Sequence, residues 1–216
     1  GGKFKVSNVI EDAVGIRFDL QGLASSYKDL FMPLHGTYQA ENAAVAVAAV
    51  EQLMGSATAP IPDALLRAAL ADVSSPGRLQ VISKRPTVLL DAAHNPHGAR
   101  SLAKALDESF GLPEAVGILS ILADKDARGL LSALEPVLTE VILTQSSSSR
   151  ATDLATLLPV AIDIFGEDRI QTAASLAEAL PIAKAKVSEN GMVVISGSIT
   201  LIGDALKLKQ KEGLDG

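Results

Sequence analysis

One segment combines an apolar run, a polar turn and a helix start: Val88-Leu89-Leu90-Asp91-Ala92-Ala93-His94-Asn95-Pro96. A short apolar run that ends in a turn is typical of a buried strand. Asn95 before Pro96 is typical of an N-cap and a first helical position, because proline lacks the N–H that would have no partner there. The pattern therefore places Asp91 and His94 in a strand-to-helix turn at the carboxyl end of a strand, where open α/β sheets bind ligands.

Strands and helices alternate from this segment to the end of the chain. We predict strands at residues 88–91, 116–122, 141–144, 161–165 and 192–196. We predict helices at residues 96–110, 126–134, from about 152, 174–187 and 199–209, and we expect Pro181 to kink or divide the fourth of them. The alternation predicts an α/β fold with a mostly parallel sheet covered by helices on both faces.

The residues before this segment follow a different pattern. Short β-like runs at residues 4–6, 14–20 and 27–34 precede a helix at about 38–54, which Thr37 can cap, and a second helix at about 62–72. Residues 43–50 are small and apolar on every side, which predicts a buried helix. A Ser-Ser-Pro-Gly turn signal follows, so we divide the chain into domains at residues 1–74 and 75–216, with a strand at 79–83 opening the second.

Composition excludes several classes of function. The 216 residues carry a net charge of -6 and 3% aromatic residues, which argues against nucleic acid and an anionic membrane as partners. The sequence has no cysteine, no P-loop motif and no dinucleotide fingerprint, and its three histidines form no metal-binding pattern. It has no long apolar span and no signal-peptide pattern at its start, so we expect a cytoplasmic protein.

Polar residues follow four of the predicted parallel strands, and their strand ends should meet at one edge of the sheet. They are Asp91 and His94, then residues 124–126, then residues 144–150, and finally Ser196-Gly197-Ser198. Four such ends favour a ligand crevice. A carboxylate there can bind ribose hydroxyls, a neutral histidine can bind a phosphate or a nucleophile, and a serine-rich helix start can bind an anion.

These residues, and the polar Asn42 and Arg78 earlier in the chain, each have a purely structural explanation as well. Asp91 can brace its turn, and His94 can hydrogen-bond within it. Ser196 and Ser198 can serve ordinary helix capping. Asn42 can support the start of its helix, and Arg78 can be a solvated charge.

The sequence resembles the Mur ligase superfamily in two motifs, Pro76-Gly77-Arg78 and Leu90-Asp91-Ala92-Ala93-His94-Asn95-Pro96. It is most similar to the folylpolyglutamate synthase / dihydrofolate synthase branch, and residues 35–44, 123–126 and 195–198 agree. The resemblance implies that residues 1–74 are the end of an ATPase domain. Residues 75–216 would be the complete carboxy-terminal Rossmann-like ligase domain, and the missing amino-terminal ATPase region of the same protein would be its partner.

The resemblance also implies roles for individual residues. Asn42 would contact the adenine of ATP, Arg78 its phosphates and Asp91 its ribose, while His94 would lie near the γ-phosphate and the incoming glutamate. Ser196 and Ser198 belong to a segment expected to place the amino-acid substrate.

The reaction implied is the joining of L-glutamate to a folate or dihydropteroate, through an acyl phosphate made from ATP. Such chemistry needs Mg²⁺ and triphosphate clamping. The family's P-loop and magnesium-binding residues would precede residue 1, so we expect this chain to be inert alone. Two alternatives remain: a UDP-muramoyl-peptide amino-acid ligase and a non-catalytic nucleotide-binding module. Arg78 at the linker favours a ligase over the module.

Overall fold

The computed structural model describes residues 4–12, 14–55, 59–111 and 114–212. The chain divides into two compact units, residues 1–76 and 77–216. The assignment of residues 1–74 to an ATPase domain and of 75–216 to a ligase domain stays a prediction. None of the described helices is long and apolar enough to cross a membrane.

The first unit is an antiparallel three-stranded sheet with two helices. Its strands, in the spatial order β1-β2-β3, are β1 (Lys5–Asp12), β2 (Gly15–Gln21) and β3 (Ser26–Met32), and its helices are α1 (Tyr38–Leu53) and α2 (Asp63–Ala71). Alternating side chains of the sheet, including Phe18 and Leu30, form a core with one face of α1 and with Leu66 of α2. This alternation follows from the period of two in a strand.

Helix α1 corrects two expectations. Thr37 precedes the helix but forms no side-chain capping bond, because its own backbone already has helical dihedral angles. The helix is also not buried all round. Ala44 and Val47 face the core, whereas Val45 and Val50 are 56% and 42% exposed. Residues three or four apart share a face, so the apolar run covers both a buried and an exposed face of α1.

The second unit is a six-stranded sheet with the order β4-β5-β9-β6-β7-β8. Its strands are β4 (Gln80–Lys84), β5 (Thr87–Leu90), β6 (Ala115–Leu119), β7 (Glu140–Leu143), β8 (Ile170–Thr172) and β9 (Met192–Ser196). All neighbouring pairs are parallel except β4 with β5. The predicted α/β class with a mostly parallel sheet is therefore confirmed.

Five helices cover the two faces of this sheet: α3 (Pro96–Glu108), α4 (Ala127–Leu134), α5 (Leu154–Phe165), α6 (Leu176–Ala185) and α7 (Ile199–Glu212). Helices α6 and α7 pack on one face, where Leu180 and Ile202 join Ile118 and Ile195 in one apolar cluster. Helices α3, α4 and α5 contact one another in sequence order. All five residues of β6 and of β9 are buried, as expected of strands covered on both sides.

One strand prediction in this unit is wrong. Residues 161–165 are the end of α5 and not a strand, since Ala161 and Phe165 are buried at helical spacing. The strand is instead β8, whose burial pattern gives little apolar signal. Helix α6 is not divided at Pro181 but runs through it, with Leu180 and Ala183 on either side buried in the core. The alternative expectation, a kink at Pro181, stays a prediction.

Candidate functional site

The turn between β5 and α3 forms as predicted. The Asn95 side chain caps α3 by accepting a hydrogen bond of 2.8 Å from the Gly98 N–H, and Pro96 is the first helical residue. The Asp91 N–H donates to Ile195 in β9 at 3.0 Å. The turn is therefore attached at one end to the central strand of the sheet and at the other to a capped helix.

Asp91 is buried in this turn, with 3% of its surface exposed. One carboxylate oxygen accepts from the Ala93 N–H at 2.9 Å, and the other accepts from the Leu79 N–H at 3.1 Å. Burial raises the pKa of Asp91, while these two bonds and the nearby charges of Arg78 and His94 act in the opposite direction. The side chain thus braces the turn, which is the structural explanation given above.

Arg78 is held close to this carboxylate by its two neighbours. The Gly77 carbonyl accepts from the Ala92 N–H at 2.7 Å, and Leu79 bonds to Asp91. Gly77 and Leu79 have φ values of +73° and +44°. A β-carbon at Gly77 would lie 2.4 Å from Ile202 Cγ2, so both sterics and backbone conformation require glycine there. The Arg78 backbone is therefore fixed, and its side chain is half-buried.

His94 is half-buried, and its Nδ1 lies 2.9 Å from the Ala92 carbonyl oxygen. A carbonyl oxygen can only accept, so Nδ1 carries the proton. In the neutral imidazole Nε2 is then the acceptor. His94 can therefore take a proton at Nε2, or donate from Nε2 to an anion when protonated. His97, in the first turn of α3, is exposed.

Ser196 and Ser198 are both fully buried. The Ser196 hydroxyl donates to the Ala93 carbonyl at 3.4 Å, and the Ser198 hydroxyl accepts from the Leu201 N–H at 3.2 Å, in the first turn of α7. Both hydroxyls therefore have structural partners. A role for them in placing an amino acid stays a prediction.

The remaining strand ends add a charged loop after β6. Asp124 pairs with Lys125 at 3.1 Å and with Arg150 at 2.6 Å, and these partners, Lys125 first, lower the pKa of Asp124. Asp126 caps α4 by accepting from the Gly129 N–H at 2.8 Å. Sequence reasoning missed that Arg150, which follows β7, pairs with Asp124 after β6, because the two lie 26 residues apart.

Three buried hydroxyls, those of Ser120, Thr144 and Ser146, also lie at this edge. Sequence reasoning did not connect Ser120 with the other two. Ser120 accepts from the Ser146 N–H at 2.9 Å, whereas the hydroxyls of Thr144 and Ser146 have no hydrogen-bond partner. The available sequence signal was that each of them lies one to three residues beyond the end of β6 or β7.

Asn42 lies in the first unit, on α1, where its amide donates to Gln39 Oε1 at 3.0 Å and its surface is exposed. Thus Arg78, Asp91 and His94 come together within the second unit, and Asn42 belongs to the other. Among the described residues, no group of three or more His, Cys, Asp or Glu side chains could hold a metal ion.

The fold is an α/β domain of the doubly wound kind, an architecture whose ligands bind at the carboxyl ends of the strands. The chain belongs to the Mur ligase family, since the family model described as "Mur ligase, glutamate ligase domain" matches residues 77–199.

Individual relatives agree with this assignment. The chain is 41% identical to the dihydrofolate synthase/folylpolyglutamate synthase of Mycobacterium tuberculosis, over 88% of this chain and 42% of that protein. It is 29% identical to the enzyme of the same description from Bacillus subtilis, over 89% and 44%. The solved structure of the Mycobacterium tuberculosis folylpolyglutamate synthase complexed with ADP superposes with a TM-score of 0.90, covering 95% of this chain and 47% of that one. The chain thus spans less than half the length of these relatives.

Proposed function

We propose that this chain is the carboxy-terminal part of an ATP-dependent folate–glutamate ligase. The full protein would join L-glutamate to dihydropteroate or a reduced folate by an amide bond. The single observation that carries this proposal is the likeness to the Mycobacterium tuberculosis synthase, which extends across both units of the chain at 41% identity. A cytoplasmic location and the division into an ATPase remnant and a ligase domain remain part of the proposal.

The turn between β5 and α3 supplies the chemistry that such a ligase needs from this part. In the reaction, an amine attacks an acyl phosphate, so the amine must lose a proton while the phosphate group leaves. His94 presents Nε2 as an acceptor at this edge, where it can orient the glutamate amine or take its proton. Arg78, close to Asp91, supplies a fixed positive charge for the ATP phosphates.

The hydrogen bonds that Asp91 already forms limit its proposed contact with the ribose. Both of its oxygens accept backbone hydrogen bonds, and the side chain is 3% exposed. Each carboxylate oxygen can still accept a second bond, so contact with a ribose hydroxyl requires that the hydroxyl reach into the turn. Asn42 is proposed for adenine recognition.

The remainder of the chemistry lies outside these residues. ATP-dependent acyl transfer needs Mg²⁺ to balance charge on the phosphoryl group, and no described cluster fits a metal ion. The sequence also has no P-loop. We therefore propose that the 216-residue chain does not turn over ATP by itself.

The test compares the chain with the protein encoded by the complete reading frame. Both receive ATP, Mg²⁺, radiolabelled L-glutamate and one acceptor, which is dihydropteroate, a reduced folate or a UDP-muramoyl peptide. We expect ligation by the full protein and none by the chain. Ligation onto a UDP-muramoyl peptide instead would support the cell-wall alternative and reject this proposal.

A further inference from the structure

A cavity of about 510 Å³ lies at the carboxyl ends of β7 and β8, and no residue of the Asp91 turn is part of its lining. It is lined by the loop after β7, the residues that lead into α6, and one face of α7. Its polar lining includes Ser146, Ser147, Ser175, Asp204, Lys207 and Lys211. None of these residues belongs to the proposed ATP or glutamate contacts.

The cavity carries excess positive charge from α7. Lys207 and Lys211 are four residues apart and so share one face of this helix, and both are exposed. Neither forms an ion pair with another described residue. Asp204 is the acidic group in the lining, and its two oxygens are already used by the Ser147 N–H and hydroxyl, at 2.8 and 2.7 Å.

The amino end of α6 faces the same cavity. Ser175 caps this helix by accepting from the Glu178 N–H at 3.3 Å, and the Glu178 carboxylate accepts in return from Ala174. Glu178 therefore offsets part of the helix dipole. Leu176 and Ala177, the first two helical residues, line the cavity, and the first N–H groups of a helix have no acceptor within it.

An independent observation points to a ligand. Ser146 lines the cavity, is 7% exposed, and has a hydroxyl without any hydrogen-bond partner. Its backbone N–H is bonded to Ser120, so the residue is fixed in place. A buried hydroxyl without a partner costs about 1–3 kcal/mol, and a bound acceptor would remove that cost.

We propose that this cavity binds a small organic anion, with a carboxylate or phosphate group held by Lys207, Lys211 and the amino end of α6. The volume exceeds what inorganic phosphate needs and lies within the range of small-molecule sites. Leu176, Ala177 and Leu208 provide an apolar wall for the carbon skeleton of such a ligand. The site is independent of the proposed ligase reaction.

The test is an amide NMR titration of the 216-residue chain with citrate, glycerol 3-phosphate and inorganic phosphate in separate series. We expect saturable shifts at the amides of Ser147, Ser175 and Ala177 with at least one organic anion. Citrate alone would identify a carboxylate site, and glycerol 3-phosphate alone a phosphate site. Saturation by inorganic phosphate with equal affinity, or by none of the three, would overturn the proposal.

Substitutions test whether anion binding depends on the lysines of the cavity or on surface charge in general. K207Q/K211Q should weaken binding about fivefold or more, the effect of losing two partly exposed charge contacts. K104Q is the control, because Lys104 is exposed on α3 and paired with Glu108 at 3.6 Å. Ser146→Ala should weaken binding and leave the chain at least as stable without ligand. Equal weakening by K104Q and by K207Q/K211Q would reject the site.

Discussion

The Leu79 N–H and one oxygen of the Asp91 carboxylate are joined by a hydrogen bond of 3.1 Å, across twelve residues of sequence. This bond fixes the start of the second unit to the turn after β5. The neighbouring bond from the Ala92 N–H to the Gly77 carbonyl, at 2.7 Å, fixes the residue on the other side of Arg78. The two bonds therefore fix the backbone on both sides of Arg78, and the charges of Arg78 and His94 both act on the Asp91 carboxylate.

Asp91→Asn should remove an acceptor from this arrangement and destabilise the chain by about 1–3 kcal/mol, because one backbone N–H loses its partner. The difference in the free energy of unfolding between wild type and Asp91→Asn should depend on pH. The pKa of Asp91 is raised in the folded chain, so between the ordinary carboxyl pKa and that raised value the folded state binds more protons than the unfolded state. Wild-type stability contributed by Asp91 is then largest at low pH and falls as the pH rises.

Urea unfolding of the wild type and of Asp91→Asn between pH 4 and pH 8 measures this effect. The wild type should lose part of its advantage over the variant as the pH rises. The exposed Asp107 on α3 provides the control Asp107→Asn, whose difference from wild type should be small at every pH. A wild-type advantage that grows with pH would contradict the raised pKa.

His94→Ala should lower kcat of the proposed full-length ligase by about 10²-fold or more, since a positioned acid–base group typically contributes that much. The reason is the loss of Nε2, the nitrogen left free when Nδ1 bonds to Ala92. His97→Ala is the matched control, because His97 is exposed in the first turn of the same helix. Equal rates for the two variants would exclude His94 from the chemistry.

Arg169→Ala should destabilise the second unit by about 2–3 kcal/mol, the range for losing hydrogen bonds made by a charged group. Its guanidinium donates to the Thr139 carbonyl at 2.9 Å, to the Leu138 carbonyl and to Glu135, and it lies over the Phe165 ring. Lysine cannot provide these directed donors, so Arg169→Lys should be nearly as harmful.

The matched control for Arg169 is Arg128→Ala, which removes an exposed pair with Asp163 and should cost less than about 1 kcal/mol. Urea unfolding monitored by circular dichroism compares the three variants. Equal losses of unfolding free energy in Arg128→Ala and Arg169→Ala would show that the directed hydrogen bonds of Arg169 do not stabilise the second unit.

Glu51→Gln should destabilise the first unit by about 2–3 kcal/mol. The fully buried carboxylate accepts from the Leu23 and Ala24 N–H groups and from the Tyr27 hydroxyl at 2.9 Å. The amide of the variant would direct its own N–H donor at these three groups, which are donors themselves. Burial raises the pKa of Tyr27, so its hydroxyl stays protonated and continues to donate at neutral pH.

Glu41→Gln, at an exposed position of the same helix, is the control for Glu51→Gln. Amide hydrogen exchange of β2 and β3 reports on the first unit separately from the second. Unchanged exchange in Glu51→Gln would show that this buried carboxylate does not hold the sheet and α1 together.

The α/β class and the turn of Asp91 and His94 follow from local patterns. Residues 88–96 contain their strand, cap and helix start within nine positions, and β9 was predicted with its observed bounds. Local patterns fail where tertiary packing decides. The apolar run 161–165 is helical because it faces the sheet together with Leu157, and the positive φ of Leu79 is maintained by a bond to a residue twelve positions away. The pairing of Asp124 with Arg150 likewise depends on two strands becoming neighbours.

We propose that this chain supplies glutamate-handling and ATP-contacting residues of a folate–glutamate ligase, whereas the P-loop and the Mg²⁺ site lie outside its 216 residues. The most direct measurement is ATP-dependent incorporation of labelled L-glutamate into dihydropteroate or a reduced folate, by the protein from the complete reading frame and by the 216-residue chain. We predict incorporation by the full protein, loss of it in His94→Ala, and none by the chain. Incorporation by the chain alone, or no incorporation by the full protein with either acceptor, would contradict the account.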